Sequence, residues 1–354
     1  MMKAPICLTA IALIAGNVAL AETPRAESED DGTFAPVDSI PEGYMIIEGD
    51  IVVPEDFFDT RGARATYDTD LWPGGIVPYV FDANVNATNQ ARAITAMGDW
   101  EAVANVDFRP RAGDENYLHI QNATFDASEG VGMAGGRHDI WIENWPRRFV
   151  IAHEFGHALG YWHEQSRADR NTACDGGPCI QINLENVCQT CCSGESCNSQ
   201  FAIRESGGEY GPYDFDSVMH YGQCAFTSCT SCPSDGACTD GGRTITVLPP
   251  NDALWQNVIG HLSHLSYWDA LVMSFLYPES DWRFLDRICQ CWFGPVCLEL
   301  GSFICPYEQF ANAAMGTPEG GTLWVLRPGN YSAVGTYSNA MTIEAPLGGV
   351  VLAD

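Results

Sequence analysis

Positive charge is scarce in this chain. Lysine and arginine together number 17, against 46 aspartate and glutamate residues, which gives a formal net charge of −29 at pH 7. A surface with this charge repels phosphate backbones and anionic lipids, so a nucleic acid partner is not expected. The length of 354 residues and the hydrophobic content of 46% are those of a globular protein with one large domain or two ordinary ones.

Long apolar segments are also missing after residue 20. No later stretch offers the roughly 18 consecutive apolar residues that a membrane-spanning helix needs. The chain begins with a short positive end at Lys3, an apolar run from about Ile6 to Leu20, and the small residue Ala21. This pattern is typical of a secretory signal peptide. We expect residues 1–21 to be removed on export, either to the extracellular space or to the periplasm, which leaves no membrane span.

Cysteine is absent between Ala65 and Ala173. Of the 15 cysteines, Cys7 lies in the expected signal peptide and the others begin at Cys174. An even number of exported cysteines is compatible with a complete set of disulfides, although the sequence does not define their pairing. Residues 174–238 are rich in cysteine, glycine, serine and asparagine. We therefore expect irregular loops there, held by disulfides rather than by a hydrophobic core.

The region before the cysteine-free segment resembles a removable leader. Residues 22 to about 43 are acidic and poor in large apolar side chains, so they are not expected to form a core. Apolar residues then flank a turn at Gly49-Asp50, and an exposed-looking basic site of the kind that proteases cut follows at Arg61–Arg64. The sequence predicts a propeptide over residues 22–64 that an activating protease removes.

Both helical and strand periodicities follow. Strands are predicted at residues 71–82, 117–122 and 138–144, and helices at residues 87–104, 146–160 and 267–278. These elements predict an α+β domain over residues 65–280, with the Cys-rich insertion inside it. Residues 281–354 contain a Cys-bearing linker and a β-rich extension, which we interpret either as one or two coils of a parallel β-helix or as an ordinary β-rich appendage.

The segment HEFGHALGYWH carries the strongest chemical signal. His153 and His157 lie four residues apart, so on a helix both project to one side and can reach one ion. A continuing helix would carry His163 about 9 Å further along its axis, whereas zinc–nitrogen bonds are about 2 Å. Gly160 can adopt the positive φ that turns the chain back. Three imidazoles leave one tetrahedral position for water, beside which Glu154 can accept a proton.

The other histidines are interpreted as ordinary core or surface residues because none lies in a ligand-spaced motif. They are His119, His138, His261 and His264.

Two motifs resemble the astacin family of zinc metalloendopeptidases, which belongs to the metzincin clan. The HExxHxxGxxH string is followed by Glu164 and then by QSRADR (Gln165–Arg170), as in that family. Further along, SVMHY (Ser217–Tyr221) matches the family's Met-turn. The resemblance covers roughly residues 45–279. It implies an α+β metzincin fold in which two subdomains enclose a deep active-site cleft.

The resemblance also implies a role for each matching residue. The implied zinc ligands are three histidines, His153, His157 and His163. Glu154 would be the general base and acid, and Met219 would form an apolar floor beneath the metal. Tyr221 would be an additional, swinging ligand whose hydroxyl stabilises the oxyanion. The implied activity is hydrolysis of peptide bonds in protein or peptide substrates with one catalytic Zn²⁺.

The leader shares this resemblance. Glu48-Gly49-Asp50 resembles the family's propeptide motif, in which Asp50 would occupy the water position on zinc and keep the precursor inactive. Cleavage near Arg61–Arg64 would release Asp50 and create a new amino terminus, which in astacins is buried against the glutamate after the third histidine, here Glu164. The family usually has phenylalanine where this chain has Ile47, and a Gly-Asp pair is also an ordinary turn.

Two alternatives are kept open. A secreted binding or adhesion protein could use an inactive metalloprotease-like scaffold, although such scaffolds usually lose the general base or a ligand, and this chain retains both. Imidazole ligands also suit copper, nickel or cobalt, but an adjacent glutamate favours zinc hydrolysis. The cysteine layout departs from the family, which typically bridges its amino-terminal half. Residues that select the substrate side chain therefore cannot be transferred from the family.

Overall fold

The computed structural model describes residues 40–57, 70–133, 135–189, 196–204, 208–227, 237–238, 241–288 and 298–353. The expected signal peptide, the basic site Arg61–Arg64 and the cysteines between residues 289 and 297 lie outside these ranges. Within the described ranges, the structure contains no helix with the length and apolar character needed to span a membrane.

A seven-stranded sheet forms one half of the predicted α+β domain. Its strands are β1 (Tyr44–Ile47), β2 (Ile51–Pro54), β3 (Ile76–Phe81), β4 (Asp107–Pro110), β5 (Tyr117–Asn122), β6 (Ala127–Glu129) and β7 (Arg137–Ile142). The spatial order is β1-β2-β6-β7-β5-β3-β4. Strands β4, β3, β5 and β7 pair in parallel, whereas β6 pairs antiparallel with β7. The predicted strands 71–82, 117–122 and 138–144 correspond to β3, β5 and β7.

The segment Tyr44–Pro54, which lies in the predicted propeptide, contributes the hairpin β1–β2 to this sheet. Ile47 lies opposite Ile51 across the hairpin, and β2 pairs in parallel with β6, where Ile51 lies opposite Ser128. The tip of the hairpin reverses sharply, with φ of 49° at Glu48 and 79° at Gly49. This hairpin is therefore an ordered extension of the sheet, and its tip lines the cleft beside it.

Two helices cover the sheet and build the main core. Helix α1 (Ala87–Glu101) begins at Asn86, whose side chain accepts the backbone N–H of Asn89. Helix α2 (Arg148–Leu159) is buried on every side from Val150 onward and ends at Gly160, where φ is 123°. The indole of Trp100 in α1 donates to the carbonyl of Ala152 in α2 at 2.9 Å, which joins the two helices.

The second half follows Gly160 and has less regular structure. Its elements are β8 (Ile180–Ile182), β9 (Ala237–Cys238), β10 (Gly241–Gly242), β11 (Ile245–Val247), α3 (Asp252–Trp255) and α4 (Tyr267–Leu276). Helix α4, predicted at 267–278, begins with a capping box between Ser266 and Asp269. The α+β class predicted from the sequence is confirmed.

The expectation that the Cys-rich insertion lacks a core is wrong. Phe201, Phe215 and Ile180 lie in a buried apolar cluster that also includes Ile245 and Val247 of β11. Cys174 is disulfide-bonded to Cys179, and four further cysteines in the described ranges are disulfide-bonded, namely Cys188, Cys197, Cys224 and Cys305. Disulfides and apolar packing therefore stabilise this half together.

The carboxyl-terminal extension is built from short parallel strands. Its elements are β12 (Trp282–Leu285), α5 (Phe310–Gly316), β13 (Thr322–Val325), β14 (Gly329–Ser332), β15 (Thr342–Glu344) and β16 (Val350–Ala353). Strand β13 pairs in parallel with β12 and β15, and β14 pairs in parallel with β16. The extension packs on the catalytic region through Phe275 of α4, whose ring centroid lies 5.2 Å from that of Phe284. The β-helix interpretation stays a prediction.

Candidate active site

Three histidine rings meet at the carboxyl end of α2. The Nε2 atoms of His153 and His157 are 3.1 Å apart, as expected for residues one helical turn apart. Because the chain reverses at Gly160, the ring of His163 returns to the same point, with its centroid 5.2 Å from His153 and 4.6 Å from His157. All three rings are buried.

Hydrogen bonds at the outer nitrogens define the tautomer of two of these rings, His153 and His157. The Nδ1 atom of His153 lies 2.8 Å from the carbonyl oxygen of Val218, and that of His157 lies 2.7 Å from the carbonyl oxygen of Tyr161. A carbonyl oxygen only accepts, so each Nδ1 carries the proton. The Nε2 lone pairs then face the centre of the cluster, which is the arrangement of metal-binding histidines. The three rings fit a metal ion with nitrogen ligands.

Asp50 at the tip of the leader hairpin completes the cluster. One atom, Oδ2, lies 3.2 Å from the Nε2 atoms of both His153 and His163, and Oδ1 lies 3.5 Å from Nε2 of His157. The four residues offer ligand atoms that all lie within 4.8 Å of one another. Burial raises the pKa of the Asp50 carboxyl, but the imidazoles lower it further, so its net pKa lies well below the usual range. Asp50 therefore offers an anionic fourth group that could hold a metal ion with the three histidines.

Glu154 lines the same cleft and is 2% exposed. Its Oε2 atom makes no hydrogen bond to any residue that the structure describes. Burial, followed by the negative charge of Asp50, raises the pKa of this carboxyl well above its usual range. A buried carboxyl with a raised pKa beside a metal cluster is suited to exchange a proton with a reacting group.

The SVMHY segment lies beneath and beside the histidines. Met219 is 2% exposed and contacts α2 so closely that a Cβ at Gly156 would lie 2.8 Å from its Sδ. The ring centroid of Tyr221 is 4.5 Å from that of His163, and its hydroxyl donates to the carbonyl oxygen of Glu48. Met219 thus forms an apolar contact below the cluster, and Tyr221 flanks it with a hydroxyl group.

Glu164 points away from the metal cluster into a second cavity. Its Oε1 atom accepts the backbone N–H of Asp214 at 2.7 Å and Nη1 of Arg167 at 3.0 Å. Asp214 and Asp269 line the same cavity. Burial raises the pKa of Glu164 to about 7 despite the Arg167 charge. The cavity therefore holds more buried acidic groups than the one guanidinium neutralises.

The sequence gives no signal for the contacts that Glu48 and Gly49 make. Glu48 is fully buried, with Oε2 2.8 Å from Nδ1 of His163 and Oε1 2.5 Å from Nε of Arg204. The backbone N–H of Gly49 donates to Oε1 of Gln200 at 2.9 Å. These partners are separated by more than a hundred positions along the chain, and no local pattern could have paired them.

His261 and His264 form a second histidine group, with Asp216. Their Nε2 atoms lie 3.1 and 3.0 Å from the two oxygens of this carboxylate. Nδ1 of His261 accepts the backbone N–H of Ser263, so the proton of the neutral ring lies on Nε2 and faces Asp216. This tautomer is the opposite of that of His153 and His157, and the group is a hydrogen-bonded pair of rings of which His261 is buried and His264 is exposed. His138 and His119 likewise bond to Ser128 and Asp139.

A helix-borne HExxH pair, a third histidine behind a glycine turn and a methionine below the rings together define a metallopeptidase of the metzincin class. The family model "Astacin (Peptidase family M12A)" matches residues 64–278. The chain belongs to the astacin family, which confirms the resemblance seen in the sequence.

Individual relatives match over part of their length. Tolloid-like protein 2 of Mus musculus is 32% identical over 215 residues, which are 58% of this chain and 19% of that protein. Zinc metalloproteinase nas-14 of Caenorhabditis elegans is 34% identical over 167 residues, 46% of this chain and 31% of that protein. The chain thus spans less than a third of either relative.

Among solved structures, High choriolytic enzyme 1, a hatching enzyme zinc-protease from Oryzias latipes, aligns with 26% sequence identity and a TM-score of 0.49. The alignment covers 59% of this chain and 94% of that chain.

Proposed function

We propose that this protein is a secreted, zinc-dependent endopeptidase that is made as an inactive precursor and hydrolyses peptide bonds in protein or peptide substrates. The observation that carries this proposal is the convergence of the Nε2 atoms of His153, His157 and His163. The Nδ1 protons of His153 and His157 are held by backbone carbonyls. When bound there, zinc supplies a Lewis acid for the scissile carbonyl and lowers the pKa of water toward about 7.

The remaining chemistry belongs to residues of the chain. Glu154 accepts the proton of the attacking water and delivers it to the leaving amine, a role supported by its position directly after His153 and by its raised pKa. The Tyr221 hydroxyl donates to the oxyanion, a role supported by its position beside His163. His153, His157 and His163 hold the ion, and Met219 supports their rings from below.

We assign the inactivity of the precursor to its leader. Asp50 takes the ligand position that water needs, a role supported by its contacts of 3.2 Å with two ligand nitrogens. Cleavage near Arg61–Arg64 by an activating protease releases the hairpin. The new amino terminus then enters the acidic cavity at Glu164, a step supported by the excess of buried carboxyls there. Ammonium binding lowers the pKa of those carboxyls and stabilises the mature domain.

The domain boundaries of this proposal follow the sequence. Residues 1–21 direct export, residues 22–64 form the propeptide, residues 65–280 form the catalytic domain with its Cys-rich insertion, and residues 281–354 form the extension. Secretion is supported by the cysteine content and by the disulfides of the insertion. Extracellular or periplasmic proteins are the corresponding substrates.

A direct experiment tests the proposal. The purified precursor is cleaved at the basic site with trypsin, the trypsin is removed, and hydrolysis of casein is measured with and without a zinc chelator. We expect cleavage that the chelator abolishes and added zinc restores. A folded, leader-free chain that binds one zinc ion per molecule and leaves casein intact would instead support the binding-scaffold alternative.

A further inference from the structure

The backbone of Tyr221 is held by two buried side chains. Its N–H donates to Oε1 of Gln165 at 2.9 Å, and its carbonyl oxygen accepts the Nδ1 proton of His220 at 2.7 Å. Gln165 is 0% exposed and His220 is 2% exposed. Nε2 of His220 lies 2.8 Å from the hydroxyl of Tyr213, so this ring is also fixed. Both polar groups of the Tyr221 backbone therefore have a buried side-chain partner.

The side chain of Tyr221 has different partners. Its hydroxyl donates to the carbonyl oxygen of Glu48, a contact that ends when the leader is removed in the proposed function. Its ring contacts those of Phe201 and Phe226, with centroids 5.9 and 5.7 Å away. Once the hydroxyl is released, the ring can turn about its side-chain dihedrals. The place that the hydroxyl then reaches depends on where the backbone holds the Cα atom.

Gln165 belongs to the segment that carries a candidate metal ligand. It is the middle residue of a short 3₁₀ turn that begins directly after His163. The first residue of this turn, Glu164, donates its N–H to the carbonyl oxygen of Met219 at 3.0 Å. Two hydrogen bonds therefore join the turn to the segment Met219–Tyr221. The position of Tyr221 relative to the histidine cluster is set by these bonds.

The amide of Gln165 uses only one of its ends for this contact. Its Nε2 atom makes no hydrogen bond to any residue that the structure describes. Glutamate has the same shape and keeps the acceptor oxygen, so Gln165→Glu preserves the bond to the Tyr221 N–H. Methionine is similar in length and has no such acceptor, and it leaves a buried N–H unpaired, which is unfavourable. This pair of substitutions separates the hydrogen bond from the volume of the side chain.

We propose that Gln165 is a positioning residue that holds the Tyr221 backbone so that the tyrosine hydroxyl reaches the oxyanion of the tetrahedral intermediate. This inference rests on the proposed function, because it names a residue that acts through the proposed oxyanion donor. The Gln165 side chain contacts the Tyr221 backbone and not the reacting atoms. Its loss therefore lowers kcat and leaves KM nearly unchanged, as for an interaction that is realised only in the transition state.

The test is a double-mutant cycle between Gln165 and Tyr221, measured on a quenched fluorescent peptide with the processed variants. For Gln165→Met we expect kcat to fall by about 10-fold or more and KM to change by less than about 2-fold, because a small displacement of a reacting group has a large effect on rate. Gln165→Glu should retain kcat within about 3-fold. In the Tyr221→Phe background, Gln165→Met should change kcat by less than about 2-fold.

Gln181→Met is the matched control, because Gln181 is an exposed residue of β8 that bonds to Asn183. It should keep the kcat and KM of the wild type. Zinc content, measured by mass spectrometry, should be equal in all variants, which excludes loss of the metal as the cause.

Three results would overturn the inference, and they differ in what else they refute. If Gln165→Met lowers kcat equally with and without the Tyr221 hydroxyl, Gln165 has only a structural role, and the peptidase activity and the role of Tyr221 both stand. If Tyr221→Phe is as active as the wild type, the oxyanion role of Tyr221 fails as well. If the wild type cleaves no peptide at all, the proposed function fails with the inference.

A measurement on the precursor covers the case in which Gln165→Met does not fold. Exchange of the Tyr221 amide proton is followed by nuclear magnetic resonance in precursors that contain isotope-labelled tyrosine. Gln165→Asn withdraws the acceptor by one methylene and keeps a polar side chain. We expect the Tyr221 amide to exchange about 10-fold faster in this variant than in the wild type or Gln165→Glu, with the other tyrosine amides unchanged. Equal exchange in all three would show that Gln165 does not hold Tyr221.

Discussion

The Nδ1 atom of His153 donates to the carbonyl oxygen of Val218 at 2.8 Å, which joins the metal-binding helix to the turn that carries Met219. The preceding peptide group of this turn is also held, since the N–H of Val218 donates to Oδ2 of Asp269 at 2.8 Å. The orientation of a metal ligand therefore depends on a carboxylate of α4 that does not touch the metal cluster.

Substitution Asp269→Asn should weaken zinc binding without removing a ligand. Oδ2 of Asp269 accepts the N–H groups of Val218 and Ser266, and an amide nitrogen in its place cannot accept them. We expect zinc affinity to fall by about 10- to 100-fold, measured by competition with a chelator of known affinity. The exposed Asp252→Asn of α3 is the control. Equal zinc affinity of the two variants would contradict this role for Asp269.

Substitution Glu154→Gln should abolish catalysis and preserve the metal site. Removal of a general base and acid lowers kcat by about 10²- to 10⁴-fold, while the ligand nitrogens are unchanged. The measurements are casein hydrolysis by the activated variant and zinc content by mass spectrometry. A variant that retains zinc and cleaves at the parent rate would exclude Glu154 from the reaction.

Substitution Asp50→Ala should make the uncleaved precursor active. Loss of the carboxylate removes the contacts with His153 and His163, so water can reach the ion while the hairpin still pairs with β6. We expect peptide cleavage at a low rate without processing, measured on a short fluorescent substrate. Glu55→Gln, at an exposed position of the same leader, should leave the precursor inactive toward the fluorescent substrate. If both precursors are equally inactive, the leader blocks the cleft sterically and the Asp50 carboxylate is not required for inactivity.

Substitution Asp214→Asn should change the pH dependence of precursor stability. Burial, with the charges of Asp269 and Glu164, raises the pKa of Asp214 to about 8, against an ordinary value near 3.8. The folded chain therefore binds a proton that the unfolded chain releases. Stability from this group is complete below about pH 4 and is lost as pH rises toward 8, by at most about 1.4 kcal/mol per pH unit.

The asparagine variant should lack this contribution, so the difference in unfolding free energy between variant and wild type should grow in favour of the variant from pH 5 to pH 8. Urea unfolding of both precursors at several pH values measures it. Asp107→Asn, at an exposed position of β4, should follow the wild-type slope. Parallel pH profiles for Asp214→Asn and wild type would mean that Asp214 is ionised in the folded precursor.

The histidine cluster could be predicted because its geometry is local. His153, His157 and His163 lie within one helix and the reversal after it, so spacing and a single glycine are sufficient to bring them together. The strands and helices of the first half were predictable for a similar reason, since their periodicity is regular. The core of the Cys-rich insertion has no such signal. Phe201 and Phe215 lie in short segments with no regular helical or strand period, and they enter one apolar cluster only after the chain has folded.

The partners of Glu48 show why the rest of the site could not be predicted from the sequence. Arg204 lies 156 positions away and His163 lies 115 positions away, so only the tertiary structure brings the three together. Nothing in the identity of one glutamate beside a Gly-Asp turn distinguishes a buried ion pair from a solvent-exposed side chain. The family resemblance identifies Asp50 as a candidate site residue. The contact of Glu48, two residues earlier, depends instead on Arg204 in the Cys-rich insertion of this chain.

The parallel pairing of β2 with β6 has a consequence for the fate of the processed molecule. Ser128 donates its backbone N–H to the carbonyl of Asp50 at 2.8 Å, and Ile51 and Val52 lie against the same short strand. Loss of the hairpin bares these peptide groups, and an uncovered sheet edge is a template for any extended chain. If the proposed processing removes the hairpin, we expect concentrated leader-free protein to self-associate more readily than the intact chain.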